Sequence, residues 1–261
     1  MIELFAMAAA TAALPASTFK PTGKWTLDYQ PALCLLTRQF TKEPAKATFG
    51  LRQAPADSQS EAILLFDDDA DDRVRRGIVA VKLPGAGKAV LSGSAVSTRV
   101  PGSRQRLLRF LVPHSTMTAL AQETSVTVEE LGRPEMTFDL EGASGAIRAL
   151  QTCEAEHIRA WGVDPSLMAA PAKPIGDVVA WFAFPLQAAV NRQAGETTVR
   201  WKIDVSGRVS DCIVLQSSGH AALDTAACAR IAKLGRYTPA VGKDGKPMPW
   251  VETRRIIWAL G

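Results

Sequence analysis

Apolar and polar positions divide the chain into two parts of different character. In residues 24–161, apolar runs of strand length follow one another: "KWTLDYQPALCLLTRQF", "AILLFD", "GIVAVKL", "KAVLSGSAVSTRV" and "RLLRFLV". Gly, Pro and Asp separate them, which is the pattern of strands joined by turns. "HSTMTALAQETS" has Ser115 or Thr116 in position to cap a helix. "SVTVEELGRPEMTFDL" predicts two strands around Gly132, Arg133 and Pro134. In "SGAIRALQTCEAEHIRAWG" positions recur at helical spacing through Ile147, Leu150, Cys153 or Glu154, His157 or Ile158, and Trp161. The first part is therefore expected to be a β-rich domain closed by a helix.

The second part has a sharper pattern. "TTVRWKIDV" alternates strictly, with Val199, Trp201, Ile203 and Val205 on one side and Thr198, Arg200, Lys202 and Asp204 on the other. That alternation predicts a half-buried strand. Ser206 and Gly207 form a two-residue turn, and "RVSDCIVLQSS" returns as the next strand. A helix follows from Ala221 to about Lys233, with Leu223, Ala227, Arg230 or Ile231, and Leu234 along one stripe and Gly235 as its stop. "WVETRRIIWAL" is the last strand. The order strand, strand, helix, strand makes the whole chain α+β. Between the two parts, "WGVDPSLMAAPAKPIGD" has three prolines and no clear period, so residues 162–177 are expected to be a linker and 178–261 a second domain.

Composition changes this picture little. The net charge of +4 is spread along the chain, with no Lys/Arg run of the kind that marks a nucleic-acid surface. The start, "MIELFAMAAATAALPASTFKPTGKW", has an apolar Ala-rich run with small residues at Ala12, Ala13 and Ala16. It resembles a signal peptide, though Glu3 replaces the usual basic residue, and residues 1–23 are expected to be a leader. No segment is long and apolar enough to predict a membrane span. Four cysteines without C-x-x-C spacing argue against a zinc or redox site and for disulfides in an oxidising compartment. Of the three possible pairings, one bridge per half is expected: Cys34 with Cys153 and Cys212 with Cys228. The second would close a loop of about 15 residues and add roughly 3 kcal/mol on the loop-entropy model.

The second half resembles the TonB C-terminal domain family. The resemblance is carried by "FPLQAA", by "TTVRWKIDVSGRVSDCIVLQSSGHAALDTAA", by "GRYTPA" and by "GKDGKPMPWVETRRIIWAL", in family order. It covers about 80 residues. Energy-transducing members also have an N-terminal membrane helix and a Pro-rich spacer, and here a globular domain stands in their place. The resemblance implies a periplasmic binding module rather than a force transducer. Its partner would be an outer-membrane TonB-dependent receptor or another envelope protein, whose extended segment adds to the last strand. Exposed sheet edges accept strands in this way. The implied partner-binding residues are Val251, Thr253, Arg254, Arg255 and Ile257, with Phe184 and Pro185. On that strand Glu252, Arg254 and Arg255 are expected on the polar side, and Ile256, Trp258 and Leu260 toward the core. The same edge could instead join two copies by strand exchange.

Other motifs point elsewhere only weakly. Gly85, Gly87 and Lys88 lack phosphate-loop spacing. The acidic run at residues 67–72 lacks the Gly and Glu of a calcium loop. His114, His157 and His220 show no metal-ligand spacing, and no cofactor is expected. The enzymatic alternative is a hydrolase in the first domain using His114 and Ser115 as base and nucleophile. Ser217, Ser218, His220, Asp224 and Cys228 assemble the side chains of a catalytic centre but are better read as a strand-to-helix corner. There Ser218 would cap the helix, Asp224 would favour its N-terminus and could pair with His220, and Cys228 would meet Cys212.

Overall fold

The computed structural model describes residues 18–68, 73–84 and 90–260. The Ala-rich start, most of the acidic run, and Gly85, Gly87 and Lys88 lie outside the described residues.

The first domain is a single large sheet whose strands alternate inward and outward. Its strands are β1 (Thr18–Pro21), β2 (Thr26–Gln30), β3 (Leu33–Lys42), β4 (Ala45–Gln53), β5 (Gln59–Asp67), β6 (Arg75–Lys82), β7 (Leu91–Arg99), β8 (Gln105–Pro113), β9 (Ser125–Glu130) and β10 (Met136–Asp139). Leu36, Phe49, Leu51, Leu64, Leu108, Val128 and Phe138 point to one side and are essentially inaccessible. The strands run in the order β1-β10-β9-β6-β7-β8-β5-β4-β3-β2. β1 pairs in parallel with β10 and also antiparallel with β3. The hydrogen-bonded path thus closes on itself as a barrel, with β2 laid beside β3. Phe138 sits among Phe19, Phe40 and Phe49 at centroid distances of 5.2, 5.2 and 5.7 Å. Such ring packing adds to plain area burial.

Two helices complete this domain, α1 (His114–Leu120) and α2 (Ala143–Ala160). Ile147, Leu150 and Cys153 of α2 pack on the barrel, and the Cys34–Cys153 disulfide ties the helix to β3. Pro113, not Ser115 or Thr116, stands at the start of α1, and no side chain caps it. Residues 18–21, expected in the leader, belong to the barrel as β1.

The expected linker is built into the second domain. A 3-10 turn at Pro165–Leu167 leads into β11 (Met168–Ala170) and β12 (Lys173–Pro174), followed by α3 (Val178–Trp181) and α4 (Leu186–Val190). Then come β13 (Gly195–Ile203), β14 (Val209–Gln216), α5 (Ala221–Leu234), β15 (Tyr237–Thr238), β16 (Ala240–Gly242), β17 (Pro247–Met248) and β18 (Trp250–Trp258). β11 pairs with β16 and β12 with β15, so the Pro-rich segment has ladder partners rather than swinging free.

The central sheet of this domain has the order β14-β13-β18. Val199, Trp201 and Ile203 meet Leu223, Ala227 and Ile231 of α5, all with no exposed surface. The Ser206–Gly207 turn is as expected: the Asp204 carboxylate accepts from the Ser206 and Arg208 amides, and Gly207 has φ 78°. A Cβ at Gly207 would stand 1.8 Å from the Tyr237 carbonyl oxygen, so only glycine fits. The strand alternation ends at Ile203, and Val205 is exposed. The Cys212–Cys228 disulfide joins β14 to α5.

The corner before α5 works differently from the expected cap. His220 is the N-cap residue and makes no side-chain cap bond. Ser218 does not reach the helix amides beyond His220. Instead the Asp224 carboxylate accepts from the Ser217 hydroxyl at 2.5 Å, the Ser218 amide at 2.9 Å, the Ser218 hydroxyl at 2.8 Å and the Thr197 hydroxyl at 2.9 Å. The Trp258 indole in turn donates to the Thr197 hydroxyl at 2.9 Å. One carboxylate therefore ties α5 to β13 and, through Thr197, to β18. Burial pushes its pKa up, but these donors outweigh burial and hold it below the usual carboxylate range. His220 is not among its partners. Asp224→Ala should lower unfolding free energy by about 2–3 kcal/mol in urea titration, whereas His220→Ala should change it by less than about 0.5 kcal/mol. Equal losses from the two variants would contradict this assignment.

Candidate strand-docking margin of the C-terminal sheet

The C-terminal sheet has two margins without a strand partner among the described residues, β14 and β18. They are not equivalent. The β13–β14 ladder shifts register twice, and Asp211 on β14 sits at φ 49°. Irregularities of this kind bend a margin and hinder further pairing. β18 instead keeps unbroken register with β13 from Gly195↔Trp258 to Ile203↔Trp250. It is the margin with the regularity a further strand needs.

Both faces of β18 are occupied. Trp250, Glu252, Arg254, Ile256 and Trp258 pair with Ile203, Trp201, Val199, Thr197 and Gly195, and so share the α5 side. This corrects the expected sidedness, because Glu252 and Arg254 lie on the same face as Ile256 and Trp258. Leu260 lies past the strand and is 37% exposed, not in the core. Arg254 donates to Glu252 at 3.0 Å.

The opposite face lies on the N-terminal domain. Arg255 bonds both carboxylate oxygens of Glu61 on β5, at 2.6 and 2.8 Å. Glu196 on β13 receives Arg109 of β8 at 2.6 Å, Arg255 at 3.3 Å and Arg52 of β4 at 3.5 Å. Burial raises the Glu196 pKa, but the Arg109 and Arg255 charges outweigh it and bring it below the ordinary value. The Thr253 hydroxyl donates to the Pro55 carbonyl at 2.6 Å. The Arg200 guanidinium lies 5.3 Å from the Trp161 ring at the end of α2. Thr198 and Arg200, expected on a solvated side, are accordingly 2% and 9% exposed.

The margin itself is partly closed. The Asp57 carboxylate faces the Arg255 backbone N–H, which draws its pKa down against burial. That amide therefore points away from β13. By the alternation of an antiparallel ladder, the amides of Val251, Thr253 and Ile257 point the same way. Val251 and Thr253 have no exposed surface, while Ile257 is 57% exposed. The predicted binding residues thus separate. Val251, Thr253 and Arg255 lie under the N-terminal domain, and Arg254 turns to the α5 side. Only Ile257 remains open. Phe184 packs edge-on against Trp258 at 5.9 Å and so supports the end of β18 from the α5 side, while Pro185 starts α4. Asp57, Glu61 and Arg109 were missed in the sequence; their signal was a charge placed in or beside an apolar strand.

A cavity of about 530 Å³ lies at the junction of the two domains. Glu154, Glu252, Asp57 and Arg254 face it, against walls that include Met168 and Trp250. Burial pushes Glu154 and Glu252 up to about 7 and raises Asp57. His114 also lines it, its pKa lowered by desolvation. Ser115 does not line the cavity, so the structure does not bring that expected pair together there. Cys34, Cys153 and His157 come close enough to suggest a metal centre, but both sulfurs are committed to the disulfide.

The raised carboxyls bind protons more tightly folded than unfolded. The stability they give is full below their ordinary pKa of 4.5 and is lost as pH rises through about 7. The melting temperature should therefore fall between pH 5.5 and pH 8. Glu252→Gln should flatten that slope and gain about 1–3 kcal/mol at pH 8. A wild-type melting temperature rising across this interval would contradict the assignment.

No helix among the described residues is long and apolar enough to cross a membrane. A search of the curated proteins finds no match to the chain. The regular β18 margin, the strand-strand-helix-strand order and the Asp224 corner all fall within a stretch that matches a known family. Residues 182–260 match the family described as the Gram-negative bacterial TonB protein C-terminal, and the C-terminal domain of this chain is of that type.

Proposed function

We propose that this is a periplasmic protein of the Gram-negative envelope that receives an extended segment of another protein as an added strand on the outer margin of β18, in the service of outer-membrane transport. The observation that carries this reading is the unbroken β13–β18 register ending at an open Ile257. The family match supports the envelope and transport setting. Two disulfides suit an oxidising compartment. The role is binding rather than catalysis, and the partner is an outer-membrane receptor or another envelope protein.

Pairing starts at Ile257 and runs toward Ala259, where nothing needs to move. Extending it back to Thr253 and Val251 requires the Asp57 and Glu61 contacts to part. Blocked pentapeptides of alternating Thr and Val, titrated by calorimetry, provide the test. Ile257→Pro removes one outward N–H at an edge position, where proline is tolerated. It should weaken peptide binding at least about tenfold while leaving the melting temperature within a few degrees. Unchanged affinity in this variant would overturn strand addition at this margin, and a concentration-dependent dimer held through β18 would identify a second copy as the occupant.

A further inference from the structure

A groove of about 440 Å³ runs from the open end of β18 across the outer face of the barrel. One wall is Arg255, Ile257 and Ala259. The floor comes from β8, β7 and β6, through Arg109, Leu111, Val96 and Arg76. We propose that this groove seats an extended segment of the partner protein bearing a carboxylate side chain among apolar ones, and that Arg76 is the specificity-determining residue that reads the carboxylate. The proposal rests on strand addition at β18 and assigns the chemistry of the segment that adds.

Three observations lead to it. First, only the Ile257 end of the margin is open, so backbone pairing there is short. Much of the selectivity must then come from side chains that reach the neighbouring wall. Second, that wall offers apolar surface: Leu111 is 49% exposed and Ile257 57% exposed. Third, the arginines of the groove differ in what they still have to offer. Arg109 and Arg255 are committed to Glu61 and Glu196, and Arg52 reaches both of these carboxylates and Gln216. Arg254 is committed to Glu252. Arg76 is exposed and has no ion-pair partner among the described residues. Its place is fixed by the ladders: Arg76 lies opposite Val96, and Val96 opposite Arg109. Two interstrand spacings set its backbone roughly 10 Å from that of Arg109. Arg109 in turn holds Glu196, the register partner of Ile257. A strand added at Ile257 therefore projects side chains over a surface where, among the described lining residues, Arg76 is the uncommitted cation. The barrel domain, not only the TonB-type domain, then selects the partner.

The test uses the full chain and blocked Thr/Val pentapeptides carrying Glu, Gln or Lys at one of the three central positions, followed by fluorescence anisotropy. At one of these positions the Glu peptide should bind about fivefold tighter than the Gln peptide and at least tenfold tighter than the Lys peptide at low salt, with the gap narrowing as ionic strength rises. Arg76→Ala should remove the preference for Glu without changing the affinity of the Gln peptide. Arg76→Glu should reverse the order of Glu and Lys. Circular dichroism should be unaltered, because Arg76 is exposed. If all three peptides bind alike and remain sensitive to Ile257→Pro, strand addition stands and the role of Arg76 is overturned. If none binds, or binding ignores Ile257→Pro, the underlying reading falls and this proposal falls with it.

Discussion

The ion pair between Glu61 and Arg255 decides how the two domains of this protein meet. Each charge sits at the end of a strand-borne side chain, each is largely removed from solvent, and the guanidinium presents two donors to two carboxylate oxygens. Desolvating both groups costs several kcal/mol, which only close two-point geometry offsets. Such a pair is weak as a source of stability and strong as a constraint, because any slip leaves a buried charge without its partner. Glu196 and Arg109 repeat the arrangement one strand away in each domain. Together they hold the barrel on the C-terminal sheet.

Several features follow from that contact. The face of β13 and β18 turned away from α5 is lined by Glu196, Thr198, Arg200, Thr253 and Arg255. It looks solvated by residue type but is an interior surface. The loop carrying Pro55 and Asp57 is brought onto the margin of β18, where the Pro55 carbonyl takes the Thr253 hydroxyl and Asp57 faces the Arg255 amide. Two more carboxyls, Glu154 and Glu252, end up beside Arg254 in the junction cavity, too dry to ionise at their ordinary pH. Of the margin of β18, this arrangement leaves the Ile257 end uncovered.

Much of the C-terminal domain was legible in the sequence because its information is local. Alternation in residues 197–205, the Ser206–Gly207 turn and the stripe on α5 each lie within a dozen residues. Both disulfides pair as expected, one in each domain. The barrel strands were legible one by one, but their closure was not. It depends on the short β1, whose Thr18 and Phe19 pair with a strand more than a hundred positions away while Lys20 and Pro21 pair with β3. The part of the site that was not legible is the cover over β18. Alternation shows which side of a strand is polar, not what packs against it, and Thr198 and Arg200 follow the polar pattern while lying buried. Asp224 was singled out correctly and lies in the first turn of α5, yet the partners of its carboxylate are three hydroxyls and an amide, and His220 is not among them.

Amide hydrogen exchange resolved along β18 tests the arrangement most directly. Arg255 and Ile257 both turn their N–H groups away from β13, so the ladder protects neither. The Arg255 amide, facing Asp57 beneath the barrel, should exchange at least about a hundredfold more slowly than the Ile257 amide, and Asp57→Ala should erase most of that difference. Equally fast exchange at the two positions in the wild-type protein would mean that the barrel does not rest on the sheet, and that the whole margin of β18 is open.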